Sequence, residues 1–318
     1  MTKLTHRTNV RRLAAAATAL LVSLALTACT GGTTTTNNTD TPSSTGTLSY
    51  NDVINSGPVA SADVVAANSW ASAVKASGQL RVGGTQTSQL FSLLDPTTNK
   101  VVGFDAGLSQ LLSRYILGEV NTNLTVVTSA TREQVITSGS VDVVVATYSI
   151  TASRMQQIDF AGPYYTSQAA ILVTATNTSI SSVADLAGKQ VATQAGSTGV
   201  SIIKQSAPEA TIVELPDDAQ CLAAVTSGQV DAYVIDQTLL LSTMMANPDV
   251  KIVGDPFGPV DAYGIGVSKS SDGKEFINQF LKTIMDDGTW LNLWKATIQA
   301  KTKTDQIPTP PAIGSAGN

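Results

Sequence analysis

Between residue 80 and residue 235 the chain alternates short strand-like runs with helix-spaced segments, and this alternation most limits the folds open to it. Leu80–Gly83 reads as a strand. Leu108, Leu111, Leu112, Tyr115 and Ile116 then fall at helical spacing within Asp105–Leu117, with Gly118 as a C-cap. Leu124–Val127 is strand-like and Arg132–Ser138 helical. Val141–Thr147 is nearly all apolar, as suits a strand buried on both faces. The same grammar follows, with strands at Ala169–Thr174, Gln190–Ala192, Thr211–Glu214 and Val230–Ile235 and helices at Val183–Leu186, Gly199–Ser206 and Asp218–Ser227. Such alternation predicts parallel sheets covered by helices. One motif occurs twice, as Ile136-Thr137-Ser138-Gly139-Ser140-Val141-Asp142 and as Val225-Thr226-Ser227-Gly228-Gln229-Val230-Asp231. Each copy closes a helix with Gly and begins a buried strand, which predicts two related α/β lobes.

The ends read differently. Lys3, Arg7, Arg11 and Arg12 precede an apolar run from Leu13 to Leu26 that is too short to span a bilayer comfortably, the pattern of an export signal. It ends at Leu26-Thr27-Ala28-Cys29, where small residues before a Cys match a lipobox. Residues 1–28 are therefore expected to be a lipoprotein signal peptide and Cys29 the lipidated first residue, fixing the protein outside the cytoplasm on the cell membrane. Thr30 to Ser49 is Thr, Asn, Ser and Gly with almost nothing apolar, so 29–68 is expected to be a flexible tether with an N-terminal arm. Residues 301–318, with Pro308, Pro310 and Pro311, are expected to be disordered.

Composition removes whole function classes. The formal net charge of -5 deepens to -9 once the four n-region cations are gone, and no basic run exists to grip nucleic acid. His6, the one histidine, lies in the expected signal. That leaves no Ser-His-Asp or Cys-His machinery and no His-ligated metal, and no cofactor is expected. With Cys29 lipidated, Cys221 has no disulfide partner and reads as a buried small hydrophobe. Ser197 sits in an approximate nucleophile elbow with no histidine to activate it. Gly188-Lys189 lacks the glycine loop of a phosphate cradle. Trp70, Trp290 and Trp294 read as packing residues.

Chemistry concentrates in Thr147-Tyr148-Ser149-Ile150-Thr151-Ala152-Ser153-Arg154, followed by Ile158-Asp159-Phe160-Ala161-Gly162-Pro163-Tyr164-Tyr165. The block leaves the end of a buried strand, where α/β folds bind ligands. Arg154 can grip a carboxylate through two parallel hydrogen bonds, with Ser149 and the Thr147 backbone as further donors.

This block resembles that of the family 3 extracellular solute-binding proteins. The likeness extends to Gly103-Phe104-Asp105, Ser138-Gly139-x-Val141-Asp142, Gln194-Ala195-Gly196-Ser197-Thr198, Gly264-Ile265-Gly266 and Asp286-Asp287-Gly288-Thr289-Trp290. The resemblance implies a type II periplasmic-binding-protein fold, two α/β lobes joined by a two-strand hinge. Lobe one would comprise 78–172 and 262–300 and lobe two 173–261, with crossings near Leu172–Thr174 and Asp261–Tyr263. It further implies a monomeric receptor, not an enzyme, that binds a free polar amino acid between the lobes and delivers it to an ABC permease with its ATPase. Arg154 would hold the α-carboxylate, Asp236 the α-ammonium, Thr198 would offer a backbone N–H, and Gln194 would read the side chain. Thr128-Ser129-Ala130-Thr131-Arg132 resembles a segment of the acidic-ligand branch, so Ser129 and Arg132 would favour glutamate or aspartate, with glutamine and asparagine also possible. Two other roles remain open on the same fold: a dehydratase-like enzyme, or a receptor for a membrane signalling protein.

Overall fold

The computed structural model describes residues 48–316; Cys29 and the expected signal and tether lie outside them. The strands are β1 (Leu80–Gly84), β2 (Thr87–Ser88), β3 (Ser92–Asp95), β4 (Lys100–Val102), β5 (Thr122–Val126), β6 (Val143–Val144), β7 (Asp159–Thr174), β8 (Gln190–Gln194), β9 (Thr211–Leu215), β10 (Ala232–Asp236) and β11 (Val250–Val267). Eight of them form one sheet in the order β5-β1-β6-β11-β7-β10-β8-β9, and β2, β3 and β4 form a small antiparallel sheet. The outer strands pair in parallel, as the βα alternation predicts. The centre does not. β7 and β11 are antiparallel over most of their length, because the chain enters the second lobe along one and returns along the other. The strand expected over Val141–Thr147 keeps only Val143–Val144 in the ladder, since the backbone turns at Thr147 with φ 44°.

The repeated motif does the same work twice. Gly139 and Gly228 adopt φ 69° and 73°, the left-handed conformation that ends a helix at little cost to glycine. Asp142 then accepts the Arg81 N–H at 2.8 Å, and Asp231 accepts the Gln190 N–H at 2.9 Å. In each half a helix end is tied to the first strand of that half.

Four apolar clusters define the layers. In one half, Leu80, Phe104, Leu108, Tyr164, Phe280 and Trp290 pack on one face of the sheet, and Ile136, Tyr148, Ile158 and Phe160 on the other. In the other half, Ala169, Ile171 and Val173 face one cluster while Ala170 and Leu172 face its counterpart. That is the period-two alternation of a strand covered on both sides. β7 therefore changes lobes between Tyr165 and Ala169, not near Leu172–Thr174, whose side chains sit in the second lobe's cores. Opposite, Asp261 and Ala262 pair with Ser167 and Thr166, so both crossings share one level of the sheet.

The N-terminal arm, whose docking the sequence leaves open, is docked, and the C-terminal stretch differs from expectation. Ser49 and Ser61 cap helices Tyr50–Ser56 and Ala62–Ala66, and Val53, Ile54 and Val65 are buried in the first lobe. Three buried apolar side chains in twenty residues are a sparse pattern, which is why the sequence leaves the docking open. The C-terminal stretch also docks: Ile313 packs on the same core and the Gly314 N–H donates to the Gly162 carbonyl at 2.8 Å. Residues 301–316 lack repeating structure beyond Thr302 but are not free chain.

Candidate functional site

The first wall of the site begins at Thr147. Its left-handed backbone is held by Asp105, in the first turn of helix Phe104–Leu117, whose Oδ2 accepts the Thr147 N–H at 2.7 Å while Oδ1 accepts the Tyr164 hydroxyl at 2.8 Å. Gly103 permits this approach: at φ 136°, an added Cβ would meet the Phe91 carbonyl at 2.5 Å. Burial pushes the Asp105 carboxyl up to about 7. The Thr147 N–H, expected as a ligand donor, is thus committed within the lobe.

Two arginines follow. Arg154 donates from Nη1 to the Ser149 carbonyl at 2.7 Å and from Nη2 to the Gly196 carbonyl of the second lobe at 2.8 Å, and its Nε pairs with Glu133 at 3.2 Å. Two of the five N–H groups of the guanidinium are hydrogen-bonded, and Glu133 balances its charge. Arg132 is buried, donates from Nη1 to the Ala146 carbonyl at 2.9 Å, and has an Nε with no partner. The Tyr148 ring lies beneath both, 4.0 Å from the Arg132 Cζ and 5.2 Å from that of Arg154. Burial, then the Arg154 charge, lowers Arg132 to about 10, so it stays protonated at neutral pH.

The second wall holds the carboxylates. Asp236 ends β10, buried, with Oδ2 accepting the Tyr263 hydroxyl at 2.7 Å and Oδ1 unpartnered. Burial, then the charge of Asp261, pushes its carboxyl up to about 8. Asp236 occupies the N-cap position of helix Gln237–Ala246 but makes no capping bond. Asp261 accepts the Thr198 hydroxyl at 2.8 Å. Gln194 accepts from the Ser129 hydroxyl at 3.2 Å and donates to the Tyr233 hydroxyl at 2.8 Å.

The lobes are closed on each other. Besides Arg154–Gly196 and Ser129–Gln194, the Ser88 and Ser242 hydroxyls meet at 3.1 Å. At Gly196, φ 76°, an added Cβ would lie 2.9 Å from the Ala130 Cα, so only glycine permits this approach. Between the lobes remains a cavity of about 230 Å³, whose walls include Ser129, Arg132, Thr147 and Gln194. Arg154, Ser149, Asp236 and Thr198 do not line it: Arg154, bonded to Ser149, reaches Gly196 across the cleft, while Asp236 and Thr198 bond to Tyr263 and Asp261 at the crossing strand. A larger cavity of about 500 Å³ lies within the first lobe beside helix Tyr50–Ser56. Among the described residues Lys100 is its one charged lining residue, so it offers no anion for a zwitterion's ammonium.

Sequence reasoning thus located both walls but missed Asp105, Tyr148, Glu133, Asp261 and Tyr263 as site residues. Asp105 carried a signal, an acid directly after Gly103-Phe104 at a helix start. Tyr263 carried none, since its hydroxyl reaches Asp236 only through strand pairing.

The family model of bacterial extracellular solute-binding proteins, family 3, matches residues 80–298. The glutamine-binding protein GlnH of Bacillus subtilis is 33% identical over 231 residues, which cover 71% of this chain and 84% of GlnH. The glutamate-binding protein GluB of Corynebacterium glutamicum is 34% identical over 173 residues, 52% of this chain and 58% of GluB. An ancestral arginine-binding protein solved bound to glutamine superposes with a TM-score of 0.65 at 34% identity, over 69% of this chain and 97% of that one. The two lobes and their crossing strands are the type II periplasmic-binding-protein fold. With its family match spanning both walls of the cleft, the chain belongs to the bacterial extracellular solute-binding proteins of family 3.

Proposed function

We infer that the protein is the amino-acid-capturing receptor of an ABC importer, closing its lobes on a polar amino acid of the glutamate–glutamine group. The observation that carries the reading is a buried guanidinium on the first wall and a buried carboxyl on the second, with Arg154 reaching across the cleft to Gly196 and Asp236 ending β10. Arg154 keeps N–H groups that make no hydrogen bond and Asp236 an oxygen without a partner. A bound α-carboxylate and α-ammonium complete both sets, and either group left alone in a closed cleft costs several kcal/mol. GlnH and GluB, named for glutamine and glutamate, support the ligand group.

A thermal-shift panel of amino acids on folded, ligand-free protein tests this. A ligand at about 100 times its dissociation constant adds about 2.7 kcal/mol, hence an expected shift of a few degrees. Responses confined to Glu, Gln, Asp and Asn support the reading, and silence across the panel sinks it.

Anchoring through lipidated Cys29 is part of the same proposal. Among the described residues no helix is long and apolar enough to cross a membrane. Cys29→Ser is expected to move the protein from the membrane fraction to the soluble one; retention in the membrane fraction would exclude a lipid anchor at Cys29.

A further inference from the structure

The cavity between the lobes has a second charged wall that the site described above does not use. Arg132 from the first lobe is its one cation, and Asp217 and Asp218 from the second are its only anions among the described residues. Asp218 opens helix Asp218–Thr226 with Asp217 as N-cap, and is half-buried. Its Oδ1 accepts the Tyr233 hydroxyl at 3.2 Å, and the Thr243 hydroxyl lies 3.0 Å from both of its oxygens. A directed chain leads to it. Ser129 donates to Gln194, Gln194 donates to Tyr233, and Tyr233 donates to Asp218. The donors in that chain run towards the Asp218 carboxylate, so the Ser129 hydroxyl hydrogen and one of the two Gln194 N–H groups are committed before any ligand side chain arrives. Arg132 is different, because its buried Nε has no partner.

We propose that Asp218 is a specificity-determining residue that, facing Arg132 across the cavity, selects a primary-amide side chain over a carboxylate. This rests on the amino-acid-receptor reading above and names the side-chain class within it. In a cavity of about 230 Å³, a side-chain carboxylate held by Arg132 is brought close to an anionic wall. A cationic side chain meets the reverse conflict at Arg132, and like charges brought together in a closed site are strongly penalised. An amide satisfies both walls without net charge: its carbonyl accepts from Arg132 and its NH2 donates to Asp218. Arg132 and Ser129 alone give the acidic preference read from the sequence, and Asp218, distant in sequence, reverses it.

The proposal carries a pH signature. Burial raises the Asp218 carboxyl above its ordinary range. The titratable groups facing it are Asp217 on its own helix, Tyr233 from β10, and Cys221, whose thiol burial pushes up to about 12; Arg132 faces it across the cavity. Tyr233 and Cys221 stay neutral across the physiological range. Protonated Asp218 becomes a donor and tolerates a ligand carboxylate, so the preference for glutamine over glutamate grows as pH rises.

Calorimetric titration of the full protein and of Asp218→Asn with L-glutamine, L-glutamate and L-arginine between pH 5 and 8 tests this. Wild type is expected to favour glutamine over glutamate by about tenfold or more at pH 8, with the preference weakening as pH falls. Asp218→Asn is expected to remove the pH dependence and narrow or invert the ratio. Glutamate or arginine binding as tightly as glutamine at pH 8 overturns the proposal while leaving an amino-acid receptor. Absence of binding to all three, with other amino acids silent too, overturns both. If Asp218→Asn fails to fold, wild type alone decides, since glutamate bound as tightly as glutamine at pH 8 is incompatible with this role.

Discussion

Arg154→Ala is expected to abolish capture of every ligand, whatever its side chain. Removing one partner of a buried, hydrogen-bonded charge pair costs about 2–5 kcal/mol, a loss of roughly 30- to several-thousand-fold in affinity. Here the loss is compounded, because the same guanidinium joins Ser149 in one lobe to Gly196 in the other and neutralises Glu133. The variant gives up part of the closed geometry along with the carboxylate clamp. Arg154→Lys separates the two effects: it keeps the charge and cannot reproduce the planar fork. Isothermal titration of both variants decides the matter, and binding within tenfold of wild type in Arg154→Ala would remove this residue from the clamp.

Asp236→Asn is expected to have effects of opposite sign on binding and on stability. An ordinary aspartate titrates near 3.8, and in the folded protein burial and Asp261 push Asp236 up to about 8. Between those values the unfolded chain has released a proton that the folded chain still holds. Folding is favoured most below about pH 4, loses ground as pH rises through the window, and has lost the whole contribution above about 8. The slope is at most about 1.4 kcal/mol per pH unit for one such group. Asparagine does not titrate, so the variant is expected to be more stable than wild type at pH 8 while binding no amino acid tightly. Asp105, raised to about 7 by burial, leaves a residual slope in the same direction. Chemical denaturation at pH 5 and pH 8 measures this directly. An unchanged pH dependence in Asp236→Asn would show that its carboxyl is not the group responsible.

Arg154 stands out in the sequence because its block leaves the end of a buried strand, whereas Asp236 is named through the family resemblance, at the end of the strand Val230–Ile235. What stayed hidden was set by distant pairing. The antiparallel centre follows from the chain returning along β7, which periodicity cannot report, since a strand buried on both faces reads alike in either direction. The crossing was placed too late because Ala169–Thr174 reads as one apolar run, with nothing to mark that Tyr165 and Ala169 belong to different cores. Thr147 looked like an available donor until the fold brought Asp105 to its N–H. The acidic side-chain preference is implied by a resemblance carried by Ser129 and Arg132, whereas Asp218 lies 86 positions beyond Arg132 and reaches the same cavity through the fold.

The route of the chain through the two lobes also sets the order in which they can be completed. Everything the second lobe buries lies between Ala169 and Phe257, a single continuous stretch. The first lobe's main core needs Phe276, Phe280, Trp290 and Leu293, which arrive near the end of the polypeptide. A chain delivered N-terminus first holds the opening half of the first lobe with its apolar face uncovered until those last helices emerge. The second lobe, begun later, can finish earlier. A nascent chain halted after Val267 would carry one whole lobe attached to one that is still open, the stage at which a holding chaperone has most surface to grasp.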